Sequence, residues 1–249
     1  MPMNDVATPH APLLPGDRAT KRTVVRGMFS AIAPRYDLLN HLLSFNVDRA
    51  WRRRAIAELR WERAPHGAYL DLCAGTLDVA AMLSKQPGFG GRVLGADFAE
   101  PMLRAGRGKA AGDVVTPIVA DALELPFPNG SAAGAIVAFG IRNVSDLDAG
   151  LREVHRVLAR GSRLVILEFS TPRQPLVRAL YHLYFHRVLP VVGGIVSGHP
   201  AAYRYLPSSV AHFPAEEELA ERMRATGLAD VRWTSLSFGI AAIHVGMKP

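Results

Sequence analysis

The sequence predicts an α/β fold, a single domain built around a mostly parallel sheet. From residue 69 onward, short apolar runs alternate with segments of helical periodicity, which is the pattern of β-α-β units. Two apolar runs near the C-terminal end look like an antiparallel pair. The chain has 249 residues, of which 49% are hydrophobic and 20% are charged, and this is enough for one large domain with a substantial core.

The apolar runs set the predicted strands, which are 68–72, 92–97, 115–120, 133–139, 162–168, 230–237 and 240–247. Helices are predicted between them, at 77–86, 99–108, 146–159 and 214–227. The helix 146–159 is the clearest, because its apolar residues share one face and Ser145 or Asp146 can cap its start. The helix 214–227 has three glutamates in its first turn, which suits the helix dipole.

The remaining segments are predicted to surround this sheet. Residues 1–20 lack a signal sequence and are predicted to be a flexible tail, and 21–249 form the domain. Residues 17–60 are predicted to be helical, and 21–60 are expected to act as a lid. The segment 174–206, rich in Tyr, His, Arg, Pro and Gly, is predicted to be an insertion with one helix and an irregular loop. Its apolar stretch is interrupted by basic residues, so no helix is predicted to span a membrane.

Composition restricts the partners. A net charge of +7 favours nucleic acid, an anionic lipid surface or an acidic ligand, unless it serves only solubility. No basic patch with interleaved aromatic residues is present, and nucleic acid is therefore not expected. Cys73 is the only cysteine, which excludes an internal disulfide and fits the cytoplasm, although it can equally be a buried hydrophobic residue.

Acidic residues stand at or near the ends of the first three predicted strands. The first turn, "LDLCAGTLDVA", contains Asp71, Gly75 and Thr76, and the second strand ends in Asp97, where a ribose hydroxyl pair can donate to a carboxylate. The third is followed by Asp121, which can meet an adenine amino group. A dinucleotide is disfavoured because the turn lacks the full G-x-G-x-x-G pattern. Each element alone is equally compatible with a turn glycine, a helix cap or a loop acid, but the three in order predict a nucleoside cofactor.

Several longer segments resemble the ubiquinone/menaquinone biosynthesis C-methyltransferase family of the demethylmenaquinone methyltransferase type. They are "DLCAGTLD", "GADFAEPML", "DALELPFP", "FGIRNVSD", "LREVHRVLARGSRLVILEFSTP", "YRYLPSSVAHFP" and "FGIAAIHVGMKP". The likeness runs from about Phe29 to Lys248. It implies a class I, Rossmann-like methyltransferase fold with a seven-stranded, mostly parallel sheet and an antiparallel C-terminal strand. It also implies S-adenosylmethionine (SAM) as cofactor and methylation of a reduced polyprenyl quinone precursor at a ring carbon.

The resemblance also implies a set of cofactor contacts. Carried over by position, Thr76 lies in the glycine turn, Asp97 binds the ribose, and Asp121 and Ala122 lie at the adenine. The full expected set is Asp71, Gly75, Thr76, Asp97, Phe98, Asp121, Ala122 and Ala138. The chain departs from the family at Leu77, where the turn usually has a second glycine, and at Ala138, where a serine is usual. Both departures are expected to affect SAM affinity more than the fold.

Arg142 and Asn143 follow the fourth predicted strand, at the edge where the cofactor and the acceptor should meet. Methylation at a ring carbon requires an electron-rich ring, and a hydroquinone becomes one when a neighbouring hydroxyl loses its proton. We expect Arg142, a permanent cation, and Asn143, a neutral donor, to hold the developing phenolate, with or without a water that carries the proton away. The alternative is that Arg142 is a structural ion-pair partner of a carboxylate such as Asp146.

The N-terminal motif "MFSAIAPRYDLLN" is expected to cover the site, with Phe29 and Tyr36 facing the ligands and Tyr36 bonded to the quinol. The alternative is an ordinary amphipathic helix. Residues 49–54 contain four arginines beside Trp51, which could contact anionic headgroups or form a solvated helix face. The enzyme is therefore expected in the cytoplasm, with a peripheral contact at the inner face of the membrane as a further hypothesis.

The insertion offers three interpretations. His182 and His186 share a helical face, but no third ligand or metalloprotease glutamate accompanies them, so no metal is expected. The apolar, aromatic surface around them suits a channel for an isoprenoid tail, a dimer contact or ordinary core packing.

The alternative functions for the whole chain are methylation of another small molecule and a weakly SAM-binding scaffold. The sequence does not distinguish a benzoquinone from a naphthoquinone ring.

Overall fold

A computed structural model describes residues 18–110, 112–188, 191 and 200–249. Its centre is a seven-stranded sheet in the order β3-β2-β1-β4-β5-β7-β6. The strands are β1 Ala68–Leu72, β2 Arg92–Asp97, β3 Val115–Val119, β4 Gly134–Ala138, β5 Arg163–Phe169, β6 Ala229–Leu236 and β7 Ala241–Met247. The predicted α/β fold with seven strands is confirmed, and each predicted strand lies within two residues of an observed one.

The order of the strands decides where a ligand can bind. The strands β1 to β5 are parallel, and the chain order reverses between β1 and β4, which are hydrogen-bonded neighbours. In such sheets a crevice opens at the carboxyl ends of the strands beside the point of reversal. Only β7 is antiparallel to its neighbours, β5 and β6, which confirms the predicted antiparallel C-terminal strand. As a result, the β6–β7 turn lies at the same edge as the carboxyl end of β5.

Helices cover both faces of the sheet. They are α1 Arg18–Ile32, α2 Tyr36–Leu43, α3 Val47–Leu59, α4 Asp78–Ser84, α5 Glu100–Ala105, α6 Leu147–Val157, α7 Pro175–Leu183, α8 Pro200–Ala211 and α9 Glu216–Ala225. One apolar core joins α3 and α4 to the sheet, and a second joins α6 and α9 to the opposite face. The side chain of Asp146 accepts a hydrogen bond from the Ala149 N–H at 3.1 Å, so one of the two predicted caps of α6 is confirmed.

The N-terminal helices differ in how they pack. Trp51, Ile56 and Leu59 of α3 belong to the main core, so α3 is part of the domain body and not of a cover. In contrast, the apolar contacts of α1 and α2 are two small clusters, one around Ile32 and one that joins Phe29 and Tyr36 to Ala99 and Met102. Helix α1 begins at Arg18, inside the predicted tail, and residues 1–17 lie outside the described residues.

The predicted insertion begins as expected with a helix, α7, which continues into a π-helical turn, Tyr184–Val188. Most of the loop predicted to follow it lies outside the described residues, and α8 forms the rest of the segment. None of the helices in the described part of the chain combines the length and the apolar composition needed to cross a bilayer.

Candidate active site

A pocket opens at the carboxyl ends of the first four strands, at the point where the strand order reverses. One wall comes from the sheet and its turns, and the other from α1 and α2. The lining includes Gly75, Asp97, Phe98, Asp121 and Ala122 from the sheet wall, Arg22, Phe29 and Tyr36 from the helical wall, and Asn143, Val144 and Ser145 after β4. Five of the eight predicted cofactor residues and two of the three predicted catalytic residues therefore line one pocket.

The glycine turn after β1 has the geometry of a close backbone approach. Gly75 has a φ of +52°, and a Cβ at this position would lie 3.4 Å from Cε of Met102 and 3.9 Å from Cε1 of Tyr36. Its N–H donates to Oδ2 of Asp97 at 2.8 Å. A side chain here would be strained and would project toward the pocket lining. The turn thus leaves backbone atoms in reach of a ligand.

Leu77 occupies a left-handed conformation with a φ of 63°, the conformation for which the usual glycine is suited. Its side chain is buried and points into the core, away from the pocket lining. Two glycines make room for it: a Cβ at Gly95 would collide with Leu77, and one at Gly106 would lie 3.1 Å from its Cγ. Leu77 therefore does not line the pocket. Its expected effect on SAM affinity remains a prediction.

Asp97 is fixed by backbone donors. Its Oδ2 accepts from Gly75 and its Oδ1 accepts from the Ala99 N–H, both at 2.8 Å. Burial raises the pKa of this carboxyl, while the backbone N–H donors act in the opposite direction. Because each oxygen accepts one backbone bond, lone pairs remain for a hydroxyl pair from the pocket side.

Asp121 is held differently. Its Oδ1 accepts from the Leu123 N–H at 3.0 Å, and its Oδ2 lies 3.1 Å from Nη1 of Arg22, which comes from the helical wall. The side chain of Arg22 is 56% exposed, so this ion pair is accessible to water. The carboxylate expected to meet an adenine amino group is thus already bonded to a cation from α1.

Three predicted cofactor residues do not line the pocket. Asp71 is buried and accepts from the Ala80 N–H at 2.9 Å, so it fixes the start of α4, and burial raises its pKa to about 7. The Thr76 hydroxyl donates to Asp37 of α2. Ala138 is paired with Leu167 in the sheet and packs against the core. Direct contact of these side chains with the cofactor is not supported, because each faces another part of the protein.

Arg142 also lies behind the pocket and does not line it. Its Nη1 is 2.7 Å from Oε1 of Glu168 and donates to the Phe139 carbonyl at 2.6 Å, and both charged side chains are almost fully buried. Nε donates to the Ser209 hydroxyl at 3.3 Å. Burial raises the pKa of Glu168, and Arg142 opposes this rise. The ion-pair alternative is therefore correct in kind, but the partner is Glu168 and not Asp146, which caps α6.

Asn143 lines the pocket and is oriented from behind. The Tyr205 hydroxyl of α8 donates to Oδ1 of Asn143 at 3.1 Å. With its oxygen turned to Tyr205, the amide presents its Nδ2 donor on the other side. Tyr205 and Glu168 were missed as functional residues, although the segments that contain them were noted. A glutamate within an otherwise apolar strand was the available signal for Glu168.

The helical wall is attached to the sheet wall by polar side chains. Lys109 bridges Asp37 of α2 and Asp78 at the start of α4, the latter at 2.6 Å. Lys21 of α1 donates to the Val144 carbonyl at 3.0 Å. The Tyr184 hydroxyl donates to the Leu43 carbonyl at 2.5 Å and ties the end of α2 to the π-helical turn.

Two further predictions concern basic and histidine residues. In the run 49–54, Trp51 is buried in the core and Arg52 is buried beside Asp48, with which it pairs, so the run is not one continuous exposed stripe. His182 is exposed, and the His186 side chain lies outside the described residues. In the described parts of the chain, no three His, Cys, Asp or Glu side chains are grouped to hold a metal.

Comparison with solved structures supports the methyltransferase fold. The chain is similar to a SAM-dependent methyltransferase of Thermotoga maritima, with a TM-score of 0.63 at 20% identity over 90% of this chain and 99% of that one. A putative methyltransferase of Haloferax volcanii, solved with its Trm112 activator, has a TM-score of 0.64 at 18% identity, over 89% of this chain and 97% of that chain. At these identities the likeness concerns the fold alone.

Sequence relatives are much closer. The demethylmenaquinone methyltransferase of Thermus thermophilus is 53% identical over 89% of this chain and 100% of its own length. The ubiquinone/menaquinone biosynthesis C-methyltransferase UbiE of Geobacter sulfurreducens is 47% identical over 90% of this chain and 88% of its own length. Residues 17–248 match the family described as the ubiE/COQ5 methyltransferase family. The chain therefore belongs to the ubiE/COQ5 methyltransferase family, which confirms the predicted class of enzyme and its SAM cofactor.

Proposed function

We propose that the protein transfers the methyl group of SAM to a ring carbon of a reduced polyprenyl quinone precursor. The observation that carries this proposal is that two side chains line the same pocket: Asp97, a carboxylate placed to bind a ribose, and Asn143, an amide that can donate a hydrogen bond. The names of the relatives at 53% and 47% identity support a demethylated quinol as the acceptor.

The sheet wall would hold the cofactor. Asp97 would accept hydrogen bonds from the ribose hydroxyls, and Asp121 would accept one from the adenine amino group. The backbone at Gly75 would lie beside the methionine part of SAM. SAM supplies a methyl group on a sulfonium, which is already a good leaving group, so the protein contributes orientation and electrostatics. Phe29 and Tyr36 would close the pocket from the helical wall, with the Tyr36 ring beside Gly75.

Asn143 would stabilise the phenolate. An acceptor ring attacks the methyl carbon more readily as its hydroxyl loses a proton, and a donor placed at that oxygen is favourable as charge develops. Tyr205 donates to the amide oxygen, which would leave the N–H groups of Asn143 for the phenolate. Arg142 precedes Asn143 in the chain, pairs with Glu168 and donates to the Phe139 carbonyl, and we assign it to positioning the turn that carries Asn143. Its expected direct contact with the phenolate is thus replaced by an indirect role.

The decisive experiment measures transfer of labelled methyl from SAM to demethylmenaquinol and to the matching benzoquinol under reducing conditions. We expect label on at least one quinol, and the ring that receives it identifies the acceptor. Asn143→Ala should lower kcat by about 10–1000-fold with little change in SAM affinity, since it removes one donor to developing charge. No label on either quinol, despite SAM binding, would contradict the proposal and favour another small-molecule acceptor.

Arg142→Lys tests the positioning role. Lysine keeps the charge but cannot reproduce the bonds that the guanidinium makes to Glu168, Phe139 and Ser209. We expect kcat to fall while SAM affinity is retained, and the loss should be smaller than for Asn143→Ala. Location in the cytoplasm and a dimer contact through the insertion remain predictions.

A further inference from the structure

Helix α7 exposes a row of leucines. Leu176, Leu180 and Leu183 are 74%, 59% and 58% exposed, and their spacing of four and three residues puts them on one helical face. Tyr181 is the buried residue of this helix, and it stacks on Phe185 of the π-helical turn with ring centroids 4.1 Å apart. The leucine row of this helix therefore faces the solvent.

Two phenylalanines extend this stripe around the same edge of the sheet. Phe45, in the turn before α3, is 78% exposed, and Phe238, in the β6–β7 turn, is 77% exposed. Helix α3, which follows the turn with Phe45, contacts the β6–β7 turn, where Trp51 Nε1 donates to the Ser237 hydroxyl at 3.0 Å. We call Leu176, Leu180, Leu183, Phe45 and Phe238 the apolar rim.

Local contacts place the apolar rim beside the pocket. The β6–β7 turn follows the register pair of Phe169 and Ala241 at the carboxyl end of β5. Gly239 in this turn packs against Pro172, just before α7, where a Cβ would lie 3.4 Å from the proline Cα. At the other end of α7, Tyr184 bonds to the Leu43 carbonyl, next to the turn that carries Phe45. The rim thus follows the edge of the sheet at which the pocket opens.

Between Glu168 and Glu216, the charged residues of the sequence are all basic. This stretch contains Arg173, Arg178, Arg187 and Arg204, and it has no Asp or Glu. The guanidinium of Arg178 donates to the carbonyls of Pro172 and Arg173, which holds it at the start of α7. Exposed apolar side chains bordered by arginines match the interface of a bilayer that carries negative headgroups.

We infer that the apolar rim docks onto an anionic lipid bilayer, with the pocket facing the membrane surface. The inference rests on the proposed function in one respect, because a polyprenyl acceptor would be dissolved in that bilayer. The basic character of the segment that carries α7 favours lipid over a second copy of this chain, since two like-charged segments would repel each other. The docking surface is also distinct from the run 49–54, whose Trp51 and Arg52 are buried.

The test is co-sedimentation with vesicles of phosphatidylcholine alone and with about one third phosphatidylglycerol added. We expect stronger partitioning to the anionic vesicles. The double variant Leu176→Ser, Leu180→Ser, which keeps the charge, should lower the partition coefficient at least about tenfold. Val119→Ser is the matched control, because Val119 is 56% exposed on the edge strand β3, outside the rim, and should partition as the wild type does.

Three results would overturn the inference: no binding of the wild type to anionic vesicles, equal binding of the double variant, or a dimer in the absence of lipid that the double variant dissociates. Methyl transfer to a short-chain quinol in detergent separates this inference from the proposed function. We expect the double variant to keep that activity. Vesicle binding without methyl transfer by the wild type would uphold the docking surface and reject the proposed acceptor.

Discussion

The two walls of the pocket are built in different ways. On the sheet wall, Asp97 is held by two backbone N–H groups, and the turn that carries Gly75 follows a central strand. On the helical wall, α1 and α2 are attached through side chains, including Lys109 to Asp37 and Arg22 to Asp121. Backbone donors in a buried turn are fixed by the fold, whereas exposed side-chain ion pairs contribute little and yield to competing ligands.

This difference suits the two walls to different roles, one in cofactor recognition and the other in ligand entry. The sheet wall offers fixed acceptors, which suits recognition of a cofactor that is the same in every turnover. We propose that the helical wall, which is held by side-chain contacts, is the part that yields when ligands enter and that excludes water afterwards. Arg22 is an example, because it pairs with Asp121, the carboxylate to which an adenine amino group would donate.

The largest expected effect is on the free energy of unfolding, when a core side chain behind the sheet wall is shortened. Leu77→Ala should lower the free energy of unfolding by about 2–5 kcal/mol, because it leaves a cavity beside Gly95 and Gly106. Leu77→Gly should be about 1 kcal/mol more stable than the alanine variant, since glycine adopts the positive φ without strain. Urea unfolding measures both values. A glycine variant less stable than the alanine variant would show that the left-handed conformation carries no cost here.

A pH-dependent effect should come from Asp71, which anchors α4 behind the sheet wall. Its pKa is raised from 3.8 to about 7, so between these values the folded state holds a proton that the unfolded chain has lost. Stability of the wild type relative to Asp71→Asn should therefore fall as the pH rises through this window, by up to about 1.4 kcal/mol per unit. Urea unfolding across the window gives the difference, with Asp113→Asn on the surface as the control for losing one carboxylate. A difference that stays constant or rises with pH would contradict the account.

Asp97→Asn tests recognition by the sheet wall. The amide loses the charge and one acceptor that the ribose hydroxyls would use, and SAM affinity should fall by about 10–100-fold. Calorimetry with SAM measures this loss. Glu100→Gln, an exposed carboxylate on the following helix, should bind SAM as the wild type does. Binding of the Asp97→Asn variant within threefold of the wild type, roughly 0.6 kcal/mol, would remove Asp97 from the site.

The smallest effect is expected on the helical wall. Arg22→Gln removes the cation that competes for Asp121, and SAM should bind up to about fivefold more tightly, in keeping with an exposed ion pair. The difference should shrink at high salt, which already weakens the pair. Calorimetry at two salt concentrations provides the measurement. Weaker binding by the variant would mean that Arg22 contacts the cofactor instead of competing with it.

The sequence predicted the strands and their ends better than the contacts between distant side chains, for a physical reason. Strands, helix caps and the acids after β1, β2 and β3 follow from local patterns, and the topology then brings the strand ends together. The partners of Arg142, Asn143 and Thr76 come from distant segments, as with Tyr205 and Asn143, which are 62 residues apart. No local periodicity specifies which side chains meet across such separations. For the same reason, no local pattern indicates that Gly95 and Gly106 leave room for the side chain of Leu77.

In the proposed function, methylation takes place at carbon, in a pocket that holds SAM and a reduced ring together. The most direct measurement is the position of an isotopically labelled methyl group, supplied on SAM, in the product of a single turnover with demethylmenaquinol or the matching benzoquinol. The account predicts a methyl group bonded to a ring carbon, with both hydroxyl hydrogens still exchangeable. A methyl group bonded to a hydroxyl oxygen would contradict it.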